Sequence, residues 1–538
     1  MSEITQDTVT ENKDDTAKAT SATTEASPAA ETTANNNKVD GESTESEKIS
    51  KNDTKAEESA YARGPQSKWL RTRKGDTIGD TPKRQRLLSK NPDSRILDAD
   101  GKPVFSDEVR KPKKKVAVMI GYCGTGYNGM QIQDNQPQFK TIEGDIFKAL
   151  VAAGAISKNN SNDLKKNDFM RAARTDKGVH AAGNVISLKM IIEDEDIVEK
   201  INAQLPEQIR IWGYSRVNKG FDCRKMCSSR VYEYLLPTYS FLPPNPNSPL
   251  GEVCHSKDLE DAEFWEPLEE EAKKRNINMD LVREAMDAQA EGIETTMAAQ
   301  LSLQSYKQMV REMKTKYRTS TGKLAKFQET LDLFKGHHNF HNFTVGKDFR
   351  DKSANRYMLN FKVSKPFEIE GIEWVSVKVH GQSFMLHQIR KMIGLTTMIV
   401  RTGAPSKKIL AAFKSQKVNV PKAPALGLLL EQPVYDGYRE YLERFGYKPL
   451  SFEKYEDEME AFKKKFIYDK IYAQEIEENV FSGFFGFVDS FDIDRQDSNG
   501  GLSIGAFLTR MTEYELEEEA KMQAEADLAN APKTPLDS

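Results

Sequence analysis

The residues best suited to chemistry lie in one short segment, RAARTDKGVHAAGN, at positions 171–184. It sets two arginines, an aspartate, a lysine and a histidine among alanines and glycines, a composition that core packing does not explain. Arg174 and Asp176 are two residues apart, so on an extended chain they share a face. A lone loop aspartate is ordinarily a solvated carboxylate. Here cations on both sides favour the ionised form that a nucleophile or base needs near neutral pH.

A second group is SFMLHQIRKMIG, at 383–394. On a helix, Met385, Leu386, Ile389, Met392 and Ile393 make the buried face and leave His387, Arg390 and Lys391 toward one side or the end. The plain reading is a basic amphipathic helix; the functional one has Arg390 reaching into a cleft to pair with Asp176. Periodicity does not choose between them. A third segment, GYCGTGYNGMQ at 121–131, has the glycines of a phosphate loop but neither the Gly-Lys-Ser/Thr ending nor the dinucleotide spacing. ATP or NAD chemistry is therefore disfavoured, whereas close approach to a polynucleotide backbone would use such glycines well.

Aromatic residues interleave with basic ones: Tyr232 and Tyr234 follow Arg230, and Phe340 and Phe343 lie within GHHNFHNFT. Stacking of a base on a ring contributes roughly 1–3 kcal/mol and suits an extruded nucleotide, though each ring alone suits a core equally. Cys223, Cys227, Cys254 and His255 supply four metal-ligand types without a standard zinc spacing, and the histidines of GHHNFH lack HExxH spacing. A structural zinc is a secondary expectation.

These groups need elements to hold them. VAVMIGYCG, from Val116, reads as a buried strand running into a loop, and 142–153 as a helix with Ile142, Ile146, Leu150 and Val151 on one face and Thr141 at its start. Strands follow at 184–192 and 231–236. A second set has a helix at 323–334, strands at 357–364 and 374–381, a helix at 385–401 and a buried strand at 424–431. This order predicts an α+β fold rather than a doubly wound one, with two similar lobes around a cleft. The expected domains are a disordered tail over 1–110, acidic then basic, an N-terminal catalytic lobe over 111–240 and a helical insertion over 241–322. A C-terminal catalytic lobe over 323–441, a helical extension over 442–490 and an acidic flexible tail over 491–538 complete the chain.

Charge follows the same divisions. The net charge of −4 over 538 residues, with a mean hydropathy of −0.66, combines −8 over 1–60, +9 over 61–115, +7 over 116–450 and −12 over 451–538. A basic body interleaved with aromatic residues points to nucleic acid. The basic run before it, from Arg71 to Lys115, reads as solvated charge, as a nuclear import signal or as an RNA-contacting arm. No stretch reaches the ~18 apolar residues of a membrane span, and four cysteines suit a reducing compartment, so a soluble nuclear or intracellular protein is expected.

Together these motifs resemble the tRNA pseudouridine synthase I family, in its eukaryotic branch. The resemblance runs from about 115 to 441, through GYCGTGYNGMQ, RAARTDKGVHA, FDCR, SSRVYEY, GHHNFHNFT, MLHQIRKMIG and APALGLLLE in the family's order. It implies isomerisation of uridine to pseudouridine at several sites in tRNA around the anticodon stem and loop, with snRNA and mRNA as further substrates. It also implies a mixed, largely antiparallel sheet flanked by helices. The family's loop aspartate falls on Asp176 as nucleophile, its base-displacing arginine on Arg174, its base-stacking tyrosine on Tyr232 and its aspartate-pairing arginine on Arg390. Arg171, Lys177, His180 and Lys391 are the expected RNA contacts. Exchanging a C–N for a C–C glycosidic bond needs no redox carrier, so no cofactor is expected for catalysis. Attack by Asp176 at C6 of the base or C1′ of the ribose stays open, and the Tyr232 phenol is a candidate to take the C5 proton. The working unit is a monomer or homodimer. The alternative is an RNA-binding tRNA chaperone or adaptor without chemistry, in which replacing Asp176 changes nothing.

Overall fold

The computed structural model describes residues 111–133, 138–447, 449–491, 493 and 500–530, all within one compact unit. The side chains of 290–291 and 525–530 are not described. The expected acidic and basic tail over 1–110 lies outside the described residues.

Ten strands form a single mixed sheet. They are β1 (Lys114–Tyr122), β2 (Met170–Arg171), β3 (His180–Met190), β4 (Ile209–Arg216), β5 (Ser229–Pro237), β6 (Gly336–Asn339), β7 (Asn355–Val363), β8 (Phe367–Ile369), β9 (Ile372–Gly381) and β10 (Leu428–Val434). Their order is β4-β1-β3-β10-β5-β9-β7-β6, with β2 on β3 and β8 on β9. The β10–β3 pairing is parallel and the other described pairings are antiparallel. The α+β architecture read from the sequence is the observed one.

Both faces of the sheet's first half are covered, which explains why β1 reads as a nearly continuous apolar run. Val116, Val118 and Ile120 pack with Ile142, Ile146 and Leu150 of helix Ile142–Ala152, whose N-terminal amide at Gly144 is capped by Thr141. Ala117 and Met119 point the other way, into a core that includes Phe452, Tyr455 and Phe462 of the C-terminal extension. β10 joins the two halves. Leu429 lies opposite His180 of β3 and Leu430 lies opposite Tyr232 of β5, so one strand aligns the exit of the Asp176 loop with the Tyr232 strand.

Two expectations need correction. Helix Gln388–Arg401 begins three residues later than its apolar periodicity suggests, because His387 takes the left-handed conformation (φ 62°) and interrupts the first turn. The acidic flexible tail over 491–538 is instead ordered across 500–530: helix Ile504–Thr509 buries Ile504, Phe507 and Leu508, and helix Glu513–Asn530 follows. The apolar i, i+3, i+4 face of the short helix docks it, while the glutamates around it lower the mean hydropathy that made the segment look like a tail. The insertion is also a packed unit, with Leu268, Val282, Leu303 and Met309 in a small core of its own.

Candidate active site

In the segment between β2 and β3, burial and exposure alternate over residues 173–176, as alternate side chains face opposite ways. Thr175 is buried, its hydroxyl 2.9 Å from the Tyr122 hydroxyl, while Arg174 and Asp176 are exposed on the other side. The segment is fastened along its length. Asn184 donates its amide to Ala173 O at 3.1 Å, and Met130 N donates to Thr175 O at 3.1 Å. Arg230 donates to Ala172 O at 3.0 Å and to Gln382 O at 3.3 Å. The glycine-rich loop 121–131 supports this segment from behind: a Cβ on Gly124 would sit 2.2 Å from Val179 O, a contact only glycine permits. Its close backbone approach is thus made to the Asp176 loop.

Asp176, with its side chain 56% exposed, opens into a cleft of about 900 Å³ that also holds Arg174, Arg224, Tyr232, Arg356, His387 and Arg390. The half-buried Tyr232 ring packs edge-to-face on Phe384, with centroids 5.1 Å apart at 79°. Burial pushes its phenol up to about 12, so it stays protonated at neutral pH. That suits a stacking surface and a hydrogen-bond donor, and it argues against the phenol as acceptor of the C5 proton.

Arg390 lies in the first turn of helix Gln388–Arg401 and lines the same cleft, but the expected pair with Asp176 is not formed: no ion pair within 4.0 Å joins them among the described residues. Its Nε donates instead to Ala423 O at 2.6 Å, and Ala423 N donates back to Arg390 O at 3.1 Å. The 421–424 segment can approach this closely because residue 394 is glycine; a Cβ there would meet Pro421 O at 2.4 Å. Burial lowers the Arg390 pKa, opposed by nearby Tyr234 and Asp176. The His387 ring lies beside Asp176, with Nδ1 3.9 Å from Oδ2. This nitrogen is buried and has no hydrogen-bond partner, and the left-handed backbone costs about 1 kcal/mol or more for a residue with a Cβ. Burial, then Lys422 and Arg390, lowers its pKa below 6.5. Sequence reading placed His387 only at the helix edge; the available signal was its position three residues before Arg390.

Of the four expected RNA contacts, Lys177 is exposed beside the cleft. The other three make contacts within the protein, although Arg171 also lines the cleft. Arg171 turns inward to form an ion pair with the buried Glu143, which also accepts from Ile132 N at 2.9 Å. His180 is buried and held neutral, its pKa lowered to about 4 by burial while Nδ1 accepts from Gly124 N at 3.1 Å. Lys391 donates to Asn342 O at 3.1 Å and Thr344 O at 3.2 Å, and burial brings it down to about 8. Charge alone could not separate these anchors from surface cations. Tyr234, Phe340 and Phe343 are likewise core residues. Cys223, Cys227, Cys254 and His255 do not assemble: among the described residues no group of three or more His, Cys, Asp or Glu could hold a metal ion.

The arrangement offers a carboxylate open to a cationic cleft, an aromatic pair opposite and a neutral imidazole at its side. The pattern of the tRNA pseudouridine synthase family matches residues 331–436. The tRNA pseudouridine synthase 1 of Saccharomyces cerevisiae is 52% identical over 458 residues, covering 82% of this chain and 84% of the relative. That of Candida albicans is 50% identical over 449 residues, covering 78% and 73%. The pseudouridylate synthase 1 homolog of Mus musculus is 38% identical over 371 residues, covering 68% and 72%. Identity at this level across more than two thirds of both partners is decisive: the chain belongs to the tRNA pseudouridine synthase family and is an isomerase.

Proposed function

We propose that the chain isomerises uridine to pseudouridine in tRNA at several positions around the anticodon stem and loop, and that snRNA and mRNA are further substrates. It acts in the nucleus, as a monomer or homodimer, and needs no cofactor, since the reaction exchanges one glycosidic bond for another without net oxidation or hydrolysis. The observation that carries this reading is the exposed Asp176 carboxylate in a cleft with Arg174 on the same face of its segment and the Tyr232–Phe384 pair nearby.

In this account the target uridine leaves its stack at a cost of a few kcal/mol, and Arg174 fills the vacated space. The base enters between Asp176 and Tyr232. Asp176 attacks C6 or C1′, the C1′–N1 bond breaks, the detached uracil turns while stacked on Tyr232, and C5 bonds to C1′; the bond to Asp176 then breaks, C5 gives up its proton to solvent and N1 takes one up, so the product is an isomer and the carboxylate is regenerated. Arg390, fixed through Ala423, acts through its field on Asp176. Backbone contacts from the surrounding arginines supply affinity that tolerates different sequences, as an enzyme with several sites requires.

Mapping pseudouridines in nuclear and total RNA from cells with and without this chain tests the substrate range. The expected result is loss at several anticodon-region tRNA positions and at a smaller set of snRNA and mRNA sites. Loss at one tRNA position alone would overturn the multisite reading.

A further inference from the structure

A second cavity, of about 1,170 Å³, lies on the other side of the Asp176 loop. Arg390 lines both spaces, so the two lie side by side at its side chain. One wall comes from the catalytic loop and the 421–426 segment and carries Lys177 and Lys422, both exposed. The facing wall comes from helices Asp469–Glu478 and Val480–Asp489 of the extension, which present Phe484 and Phe487, and from Phe491 just after them. Phe487 is 63% exposed and Phe491 37%, their ring centroids 4.6 Å apart. The acidic member of the lining, Glu478, accepts from Gln474 at 3.0 Å.

Exposed aromatic rings beside a catalytic loop are unfavourable in water and call for an occupant. A planar, uncharged face with an anionic backbone fits both walls: the base stacks on the phenylalanines while its phosphates meet Lys177 and Lys422. A strand that delivers a uridine to Asp176 must continue past the first cleft, and this cavity is its neighbour, sharing Arg390 and the catalytic loop. We propose that this cavity is a second nucleotide subsite, in which an unpaired nucleotide flanking the target uridine stacks on Phe487, the more exposed ring, while Phe491 buttresses Phe487 edge-to-face, their planes at 69°. The subsite rests on the RNA chemistry proposed above. It gives the C-terminal extension a direct share in choosing which uridines are modified, by requiring a neighbour that can unstack.

The test separates stacking from mere apolar bulk. Phe487→Trp and Phe487→Leu are compared with the unsubstituted chain in pseudouridine formation on a tRNA transcript, with 4-thiouridine placed at positions flanking the target for photocrosslinking. Stacking predicts that Phe487→Leu raises KM for tRNA by at least about fivefold, the equivalent of about 1 kcal/mol, with kcat within about twofold, while Phe487→Trp keeps KM near the original value. It also predicts crosslinks to the peptide carrying Phe484 to Phe491. Equal KM for all three proteins, or crosslinks confined to other peptides, would overturn the subsite. Absence of pseudouridine with the unsubstituted chain would instead overturn the reading on which it rests.

Discussion

At the scale of single residues, Asp176 is held by its neighbours on the chain and faced by groups from distant elements. The Arg174–Thr175–Asp176 alternation was legible because an extended segment has a period of two, and the structure keeps it: Thr175 in, the charged pair out. The partner of Asp176 was not legible. Arg390 and His387 both lie near the start of one helix, and the positive φ of His387, which the apolar pattern does not encode, sits at that start beside the carboxylate. We expect neutral His387 to be the working form. Its pKa is lowered, so protonation sets in only below the ordinary histidine range, and an imidazolium there would pair with Asp176 and withdraw its charge from the base. His387→Asn tolerates the left-handed backbone and cannot be protonated in this range. Single-turnover rates over a pH series should therefore show an acid limb in the unsubstituted chain, below pH 6.5, that moves or weakens in His387→Asn. An unchanged profile would remove His387 from the mechanism.

At the scale of elements, the site depends on β10 and on helix Gln388–Arg401. The first was expected as a buried strand, but its place between β3 and β5 follows from pairings more than 190 residues apart in sequence, such as Leu430 with Tyr232, which no local pattern encodes. The helix ends in Arg401, whose guanidinium is buried and bidentate to Asp489, at 2.7 and 2.8 Å. This contact fastens the extension to the catalytic core. Arg401→Met leaves a buried carboxylate unpaired and should cost about 3–5 kcal/mol in chemical denaturation, whereas the double change with Asp489→Leu should recover most of it. If the single and double variants were equally unstable, the pair would not be what docks the extension. The extension was legible as helical from its aromatic residues, Phe481 and Phe485 among them, whereas the docking of Phe507 was hidden by the glutamates that follow it over 513–519.

At the scale of the whole molecule, charge counted along the chain differs from charge on the surface. The +7 of residues 116–450 suggested a basic body, but the extension and the helices after it carry most of the −12 of 451–538 and fold onto the same unit. RNA affinity then rests on local cations around the cleft, such as Arg174, Arg224, Lys177 and Lys422, rather than on net charge. Replacing the exposed Arg224 by Gln should weaken tRNA binding similarly for all tRNAs and lower the slope of log affinity against log salt by about 1. A loss confined to one tRNA would make Arg224 a base-reading residue instead.

The central claim is that the exposed carboxylate of Asp176 performs the isomerisation, and it is tested most directly by Asp176→Ala. Because this side chain projects into solvent, stability should change by no more than about 0.5 kcal/mol, and the variant should still bind tRNA. Pseudouridine formed on tRNA by the purified variant is the measurement. None above background is expected; formation at the rate of the unsubstituted chain would show that Asp176 is not the catalytic group.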